Sequence, residues 1–358
     1  MPPAPLRVLY LLHDTRRSGV PAVLAHLIGS LDRSRVVPTV LVAYDGIYAR
    51  ELRECGVAVA SLGRRLPVLW RLNRFLLNIR LVRMARRADV IHVNSAVLAL
   101  SVLIASQLGA RVVFHLHEKP GRLVGLIARA IGAADCVVFC ARNCADHFTK
   151  LPAREKRVFL NAIRLPPESA PGLVAAPLKI VMFGSINRNK GQDLLLRAFS
   201  LLERQDAELI IYGTVGLSAH GYVRGLKKFV EENDLSGRVF FPGPTNDAEE
   251  VLRGATLLVH SSLNECLSIS VLEAMAQGVP VIANDIAGMN EVISDGVDGF
   301  LVETGNIEMM AQRIAQLLGD PALRARMGEA GRQTVREKFN MAQRVEEFMG
   351  LYEELCRR

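Results

Sequence analysis

The chain has 358 residues, half of them apolar and 22% charged, which is typical of a globular protein with two domains of ordinary size and not of a disordered chain. Its formal net charge of +8 favours an anionic partner such as a phosphate group or an acidic membrane surface. Nucleic acid is disfavoured, because only 6% of the residues are aromatic and base stacking needs aromatic side chains within the basic stretches. Six cysteines over this length give no disulfide framework, so we expect reduced thiols and a cytoplasmic protein.

In the first half of the chain, short apolar stretches alternate with helical patterns. Strands are predicted at RVLYLL, VVPTVLVA, VAVAS, DVIHVN, RVVFHL, DCVVFC and RVFL, and helices at residues 20–31, 69–87, 97–108 and 122–131. Near-continuous apolar strands separated by helices predict a parallel sheet covered on both faces. Residues 90–110 carry no formal charge and have the length of a membrane span, but their polar side chains would be costly in lipid, so we interpret them as a strand and a buried helix.

A proline-rich segment without periodicity, residues 166–177, is predicted to be a linker. Beyond it the alternation restarts, with strands at LKIVMF, AELIIY, RVFF, ATLLVH, VPVIA and GFLVE and helices between them. A last helix, near residues 341–356, has no strand after it. The sequence therefore predicts an α/β protein with two Rossmann-like domains, residues 1–165 and 178–340, whose parallel sheets face a central cleft, followed by a helix at 341–358.

Each predicted domain has a loop that follows its first strand and opens a helix. In the first domain this loop contains Ser18-Gly19, which would leave backbone N–H groups at the helix start facing the cleft. In the second domain Gly184 ends the strand, and Arg188 and Lys190 precede the helix, where a diphosphate would meet its N-terminus. The alternatives are a glycine that only lets the chain turn and basic side chains in solvent. Neither loop has the GxGxxG or the GxxxxGK[ST] pattern.

The segment HLHEKPG follows the fifth predicted strand. Alternation places His115 and His117 on one side of that strand, and His117 and Glu118 lie just past its end, toward the cleft. His117 is either a ligand contact or a structural histidine, and the sequence leaves both open.

The segment from residue 63 to residue 87 is rich in arginine, from Arg64 to Arg87, and no acidic residue occurs between Glu54 and Asp89. On a helical wheel its apolar residues form one broad face, with Val68, Leu69, Leu72, Phe75, Leu76, Ile79 and Val82, and a second strip, with Trp70, Leu77 and Leu81. One face can pack on the sheet, and the second strip, with the arginines and the only tryptophan, is typical of a contact with an anionic membrane surface. The alternative is a crossover helix with a solvated basic edge.

Two glutamates lie eight positions apart in SSLNECLSISVLEAMAQGVP, between two apolar strands. Glu273 lies on a helix predicted at residues 268–277, and Glu265 lies on the loop that enters it. Both are therefore near the carboxyl end of a parallel strand, where open α/β sheets bind ligands, although spacing alone fits a solvated pair equally well. No Asp-x-Asp pair occurs and no cluster has metal-ligand spacing, which disfavours a metal-dependent nucleotide-sugar site.

Together these motifs resemble those of retaining GT-B glycosyltransferases, specifically glycosyltransferase family 4. ECLSISVLEAMAQGVPVIA resembles the family's E-x7-E signature, and the loop from Gly184 to Lys190-Gly191 resembles its G-R-x-x-x-x-K-G diphosphate loop. The Ser18-Gly19 turn, HLHE, the LNAI stretch and NEVISDGVDGFLVETGN fall in the family's order. The resemblance implies the GT-B fold, with the last helix crossing back onto the first domain.

The resemblance also implies an enzyme that moves a sugar from a UDP- or GDP-linked donor to an acceptor, with retention of configuration and without a cofactor or metal. The implied donor-binding residues are Gly19, Gly184, Ser185, Arg188, Lys190, Gly213, Gly243, Glu265, Cys266, Leu267, Ser268 and Glu273, and the implied catalytic residues are His117, Arg188, Lys190 and Glu265. Glu273 would bind the ribose, and Glu265 the transferred sugar. Lys190 and Arg188 would stabilise the leaving diphosphate, and His117 would lie by the sugar. The base is expected near residues 241–245.

Two positions depart from the family pattern, since Ser185 stands where an arginine is expected and Ser18 where a glycine is expected. The predicted function is a glycosyltransferase of the cytoplasm, peripheral on the inner face of the plasma membrane, with a lipid-linked or polysaccharide acceptor. No carboxylate has an obvious place as a covalent nucleophile, which favours attack on the same face as the leaving phosphate. The alternatives are a sugar-nucleotide epimerase or hydrolase of the same fold and an inactive nucleotide-sugar-binding partner subunit.

Overall fold

The computed structural model describes residues 4–16, 18–62, 70–118, 124–166 and 177–358. The chain divides into two compact units, of which the first comprises Met1–Arg164 and Asn340–Arg358 and the second Leu165–Phe339. Most of the predicted linker and the start of the basic stretch, at residues 63–69, lie outside the described residues.

The described part of the first unit is built on a parallel sheet of seven strands in the order β3-β2-β1-β4-β5-β6-β7. Its strands are β1 (Leu6–Leu12), β2 (Val36–Val42), β3 (Ala58–Ser61), β4 (Val90–Asn94), β5 (Arg111–Leu116), β6 (Cys136–Phe139) and β7 (Lys156–Val158). Its helices are α1 (Gly19–Gly29), α2 (Ile47–Glu54), α3 (Trp70–Ala85), α4 (Ala99–Gln107), α5 (Val124–Ala133), α6 (Arg142–Asp146) and α14 (Met341–Arg357). The strand order reverses between β1 and β4, which makes the loops after these two strands the expected ligand edge.

The second unit repeats this plan with a parallel sheet of six strands in the order β10-β9-β8-β11-β12-β13. Its strands are β8 (Leu178–Phe183), β9 (Ala207–Tyr212), β10 (Val239–Gly243), β11 (Leu257–His260), β12 (Val281–Asn284) and β13 (Phe300–Val302). Its helices are α7 (Gln192–Ser200), α8 (His220–Glu232), α9 (Ala248–Arg253), α10 (Ile269–Ala276), α11 (Ala287–Asn290), α12 (Ile307–Gly319) and α13 (Pro321–Lys338). Here the order reverses between β8 and β11.

The predicted α/β architecture with two parallel sheets is confirmed, and every predicted strand is present. Strands β4, β5 and β6 are almost wholly buried, as continuous apolar strands between two helical layers require. The sequence does not predict the short helices α2, α6 and α11, because so few residues carry little periodicity.

Two predictions about helix faces are wrong. Helix α4 is not fully buried, since Leu100 is exposed on its outer side. On α3, Leu77 and Leu81 of the second strip are the buried residues, whereas Leu72, Phe75, Leu76, Ile79 and Val82 of the broad face are exposed. The physical reason is that both faces of α3 are apolar, so amphipathicity alone cannot choose which one packs on the sheet. No helix in the described ranges is long and apolar enough to cross a membrane.

The last helix, α14, packs within the first unit. Its first N–H, from Met341, donates to the Ile163 carbonyl at 2.9 Å. The buried hydroxyl of Tyr352 lies 2.9 Å from the hydroxyl of Tyr10 on β1 and 2.6 Å from Nδ1 of His92 on β4. Burial lowers the pKa of His92 to about 3, so this imidazole is neutral and completes an uncharged polar network under the helix. The network ties the end of the chain to the centre of the first sheet.

We expect Tyr352→Phe to destabilise the docking of α14 by about 1–3 kcal/mol, because the Tyr10 hydroxyl and the His92 ring both lose a buried hydrogen-bond partner. Hydrogen exchange of the α14 amides measures this loss. Tyr212→Phe is the matched control, since the Tyr212 hydroxyl has no hydrogen-bond partner among the described residues. Equal protection of α14 in the two variants would contradict the network's role.

Candidate functional site

The candidate site of the second unit lies at the point where its strand order reverses. Strands β8 and β11 are parallel neighbours, with Ile180 opposite Leu257, so the loops that follow them leave the same edge of the sheet. The loop after β8 carries the predicted diphosphate residues, and the loop after β11 carries Glu265 and leads into the helix with Glu273. The fold therefore places both predicted motifs at the edge where open α/β sheets bind ligands.

Close backbone contacts hold the loop after β8 in place. Arg188–Lys190 forms a single 3₁₀ turn, and Gly191 then adopts a left-handed conformation with φ of +67° before α7 begins. A Cβ at Gly191 would lie 2.2 Å from the Ser261 carbonyl oxygen, so a side chain there would drive the two loops apart. Gly213 is equally restricted, because its Cβ would lie 1.8 Å from the carbonyl oxygen of Gly184. These glycines are required by packing.

Hydrogen bonds fasten the loop after β8 to the loop after β11. The Ser261 hydroxyl donates to the Gly191 carbonyl at 2.9 Å, and the Asn284 side chain donates to the Ser261 carbonyl at 2.8 Å. The side chain of Asn189 donates to the Asn264 carbonyl at 3.1 Å. Neither Ser261 nor Asn284 is among the site residues predicted from the sequence. The sequence feature that could have indicated them is a polar residue at the end of an apolar strand.

The fastened loops bring Lys190 and Glu265 into direct contact. The Lys190 ammonium donates to the Glu265 carboxylate, and each side chain is only about a fifth to a quarter exposed, at 20% and 24%. The buried His260 ring lies behind them, with Nε2 3.9 Å from Oε2 of Glu265. Burial, and then the charge of Lys190, lower the pKa of His260 to about 3, so that ring stays neutral. The His260 ring next to the ion pair therefore carries no charge.

Glu273 lies on α10 and is held differently. Its carboxylate has no hydrogen-bond or ion-pair partner among the described residues, and burial raises its pKa to about 7. An unpartnered, partly buried carboxylate at a strand edge is a candidate for ligand contact, because a ligand donor would satisfy it. Glu265 and Glu273 are therefore chemically distinct, although the sequence presents them as a matched pair.

The start of α10 is well packed. Cys266, Leu267 and Ser268 are buried. The Ser268 side chain does not cap the helix and lies 3.1 Å from the Ser270 hydroxyl instead. The first backbone N–H groups of α10 have no partner within the helix, as at any helix start. This is the arrangement that a phosphate or sugar oxygen would need.

Arg188 and Ser185 lie elsewhere in the loop after β8. The Arg188 guanidinium lies 5.5 Å from the centre of the Tyr222 ring, and the Tyr222 hydroxyl donates to Asp193 at 2.6 Å. The Ser185 hydroxyl accepts a hydrogen bond from the Asn187 side chain at 2.9 Å. Arg188 is thus directed to α8, and it does not join the pair formed by Lys190 and Glu265.

Aromatic side chains line the neighbouring strand ends. Phe183, the last residue of β8, stacks on Tyr212, the last residue of β9, with ring centres 5.4 Å apart. Gly243 ends β10 with φ of +90°, and its carbonyl accepts the Gly213 N–H at 3.0 Å. The base contact is predicted from the sequence at residues 241–245, and Tyr212 is not among the predicted residues. An aromatic residue at the end of a strand is the feature that would have indicated it.

In the first unit, the predicted residues follow β1 and β5. Gly19 begins α1 directly after Ser18, whose side chain makes no capping hydrogen bond. His117 lies just past β5 and is buried, with its ring centre 3.9 Å from that of His115. Gly19 and His117 both lie at the carboxyl edge of the first sheet, near the point where its strand order reverses.

Glu118, next to His117, is fixed by the strained Ser95. Ser95 follows β4 with φ of +80°, a conformation that non-glycine residues rarely adopt. Its hydroxyl donates to the Glu118 carboxylate, and the N–H groups of Ala96 and His117 donate to the same carboxylate at 3.1 and 3.2 Å. The two donors from Ser95 and Ala96 therefore lock the HLHE segment to the loop after β4, and the His117 N–H fixes the carboxylate within the segment. The strain cannot be seen in the sequence, where Ser95 is an ordinary serine.

Comparison with known proteins gives two family matches. The model described as "Glycosyl transferase 4-like domain" matches residues 18–164, and the model described as "Glycosyl transferases group 1" matches residues 169–334. Together they cover both units apart from the ends of the chain and the last helix.

The similar individual proteins are also described as glycosyltransferases. The chain is 26% identical over 336 residues to the lipopolysaccharide core biosynthesis glycosyltransferase LpsE of Rhizobium meliloti, a match that covers 92% of this chain and 94% of LpsE. It is 35% identical over 174 residues to the putative glycosyltransferase EpsD of Bacillus subtilis, which is 48% of this chain but only 44% of that relative's length.

Among solved structures, Anabaena HepE in complex with UDP and glucose superposes with a TM-score of 0.83 at 21% identity, covering 97% of this chain and 99% of HepE. At this identity the likeness shows the fold, which is the GT-B fold of two Rossmann-like halves. The family matches, the relatives and the fold agree, and the chain belongs to the GT-B glycosyltransferases of the family 4 type.

Proposed function

We propose that this protein transfers a sugar, with retention of configuration, from a UDP-linked donor to a hydroxyl of a lipid-linked or polysaccharide acceptor at the cytoplasmic face of a membrane. The observation that carries this proposal is the ion pair of Lys190 and Glu265 at the reversal point of the second sheet, beside the unpartnered carboxylate of Glu273. UDP is favoured over GDP because the similar HepE was solved with UDP and with UDP-glucose. A glycan acceptor is favoured by the name of LpsE.

The proposed donor pose follows from the charges of the second unit. Glu273 would accept hydrogen bonds from the ribose hydroxyls, because its carboxylate lacks any other partner in the described chain. The base would lie on the side of Phe183 and Tyr212, whose rings end neighbouring strands. The diphosphate would meet Lys190 and the N–H groups at the start of α10. Gly19 and His117 keep the roles that the family resemblance implies, next to the phosphate and the sugar.

In this scheme the donor has to compete with Glu265 for Lys190. As the bond between the sugar and the phosphate breaks, negative charge grows on the diphosphate, and Lys190 is pulled toward it. Glu265 is released in the same step and becomes free to accept a hydrogen bond from a sugar hydroxyl. The acceptor hydroxyl would attack from the face of the leaving phosphate, which would take its proton. Glu265 then contacts the sugar without forming a bond to it.

Thermal unfolding in the presence of UDP-, GDP- and ADP-sugars tests the proposal. We expect a UDP-sugar to raise the melting temperature and to be consumed when a membrane lipid extract or polysaccharide is added. Product analysis by NMR should show the donor's anomeric configuration. Failure of every nucleotide sugar to stabilise the protein would refute the donor site, and a sugar adduct trapped on Glu265 would refute same-face attack.

Lys190→Ala is expected to lower kcat/KM for hydrolysis of the donor, which requires no acceptor, by about 10²-fold, because a charge that stabilises the leaving diphosphate is lost. Lys227→Ala on the exposed side of α8 is the matched control and should leave the rate unchanged. If the two variants hydrolyse the donor equally fast, Lys190 has no part in the chemistry.

The affinity for UDP-glucose should depend on pH through Glu273. The ionised carboxylate accepts hydrogen bonds from the ribose more strongly than the neutral acid does, and the pKa of Glu273 is about 7, so protonation should weaken binding by up to about tenfold between pH 8 and pH 6. UDP-glucose is the suitable probe because its diphosphate is already fully ionised in this range.

Glu273→Gln should bind UDP-glucose more weakly at pH 8 and should show no such pH dependence, which titration calorimetry measures. Glu308→Gln, at an exposed position in the first turn of α12, should keep both the affinity and the pH profile. A pH profile unchanged by Glu273→Gln would exclude Glu273 as the ribose contact.

A further inference from the structure

Helix α3 of the first unit has two opposite apolar faces. Leu77, Leu81 and Ala85, spaced by four, are buried in the unit. On the other side Phe75 is 62% exposed, and Leu72, Leu76, Ile79 and Val82 are also exposed at helical spacing. A helix that is apolar on both sides is typical of a position between a protein core and another apolar phase. The outer face is therefore unlike the polar outer face of an ordinary crossover helix.

The neighbouring helix α4 extends the outer apolar face. Between α3 and α4 lies an open groove of about 500 Å³, lined by Phe75, Asn78, Ile79, Val82, Leu100 and Ile104 together with Arg74. Its polar groups are already engaged, since Ser101 donates to the Asn78 side chain at 2.8 Å and Asn78 donates to the Arg74 carbonyl at 3.0 Å. The groove is therefore open to a hydrocarbon chain and offers little to a polar ligand.

Exposed arginines border this face. Arg80 lies on α3 and donates to the Ser61 carbonyl, and Arg83, Arg86 and Arg87 follow at its C-terminal end. No acidic residue occurs from residue 55 to residue 88, so no carboxylate of the same segment neutralises them. By helical spacing Arg83 follows Ile79, which places positive charge beside the exposed apolar side chains, and Arg86 and Arg87 are exposed in the turn directly after α3.

We propose that this α3–α4 face docks on an anionic phospholipid bilayer, with a lipid hydrocarbon chain in the groove. The pattern matches a bilayer because apolar side chains meet the acyl region and arginines meet the phosphate headgroups. A second copy of this chain fits poorly, since a symmetric contact would bring the arginines of one face against those of the other. Docking involves only the first unit, whereas Lys190, Glu265 and Glu273 lie in the second, so membrane binding and donor binding can fail separately.

Vesicle sedimentation tests the docking face. We expect the protein to bind vesicles of phosphatidylcholine with phosphatidylglycerol and to dissociate from them as sodium chloride is added. It should not bind vesicles of phosphatidylcholine alone. Arg83→Gln with Arg86→Gln should weaken binding about thirtyfold, and Phe75→Ser with Ile79→Ser should abolish it at all salt concentrations. These positions are exposed, so the melting temperatures should match that of the wild type.

Val297→Ser and Arg326→Gln in the second unit are the matched controls, since Val297 is 61% exposed and Arg326 is also on the surface. Both should bind vesicles like the wild type. The same samples are titrated with UDP-glucose, which every variant should bind equally.

Three results would overturn the docking proposal: no binding to anionic vesicles at low salt, equal binding by the controls and the α3 variants, or a dimer in free solution that Phe75→Ser with Ile79→Ser disperses. The last result would assign the face to a second copy of the chain. Retained binding of UDP-glucose alongside any of these would leave the proposed transfer reaction intact.

Discussion

The candidate site depends on the ion pair between Lys190 and Glu265. Two charges that are mostly buried are costly to leave unpaired, and here each neutralises the other. The pair forms only because the loop after β8 lies directly on the loop after β11, a contact that Gly191 and the Ser261 hydroxyl make possible. A diphosphate that takes over Lys190 therefore replaces an existing partner, and it meets an ammonium already held in position.

Three ionisable side chains at this edge of the second sheet have three different surroundings. His260 is buried and neutral, Glu265 is in contact with Lys190, and Glu273 is largely buried without a partner among the described residues. The raised pKa of Glu273 makes the free energy of unfolding depend on pH. The pKa of this carboxyl group is near 4.5 in the unfolded chain and about 7 in the folded protein, so its contribution to stability is complete below pH 4.5 and is lost as pH rises through about 7. Above pH 7 the ionised Glu273 costs stability, which a ribose that donates hydrogen bonds would offset.

The sequence predicts the architecture well because alternation of buried strands and helices is a local pattern, and it also locates the two loops that meet at the reversal point. It cannot predict which residues pair across them. Lys190 and Glu265 are 75 positions apart, and their contact follows from strand order, which no local pattern encodes. Ser95 is missed for a different reason, since its positive φ is imposed by the segment around Glu118. Short helices such as α2 are missed because they carry too little periodicity.

Helix α3 shows where the helical wheel fails. Hydrophobic periodicity identifies a face that can be buried, but two opposite apolar faces satisfy the same rule, and the packing against the sheet selects Leu77 and Leu81. The face left outside is broader and includes Phe75, so the folded first unit keeps a large apolar surface in water. Such a surface favours association, and the surrounding arginines restrict the partner by repelling positive surfaces and attracting anionic ones. The same segment thus supplies part of the core of the first unit and, on its other side, the chemistry of a bilayer contact.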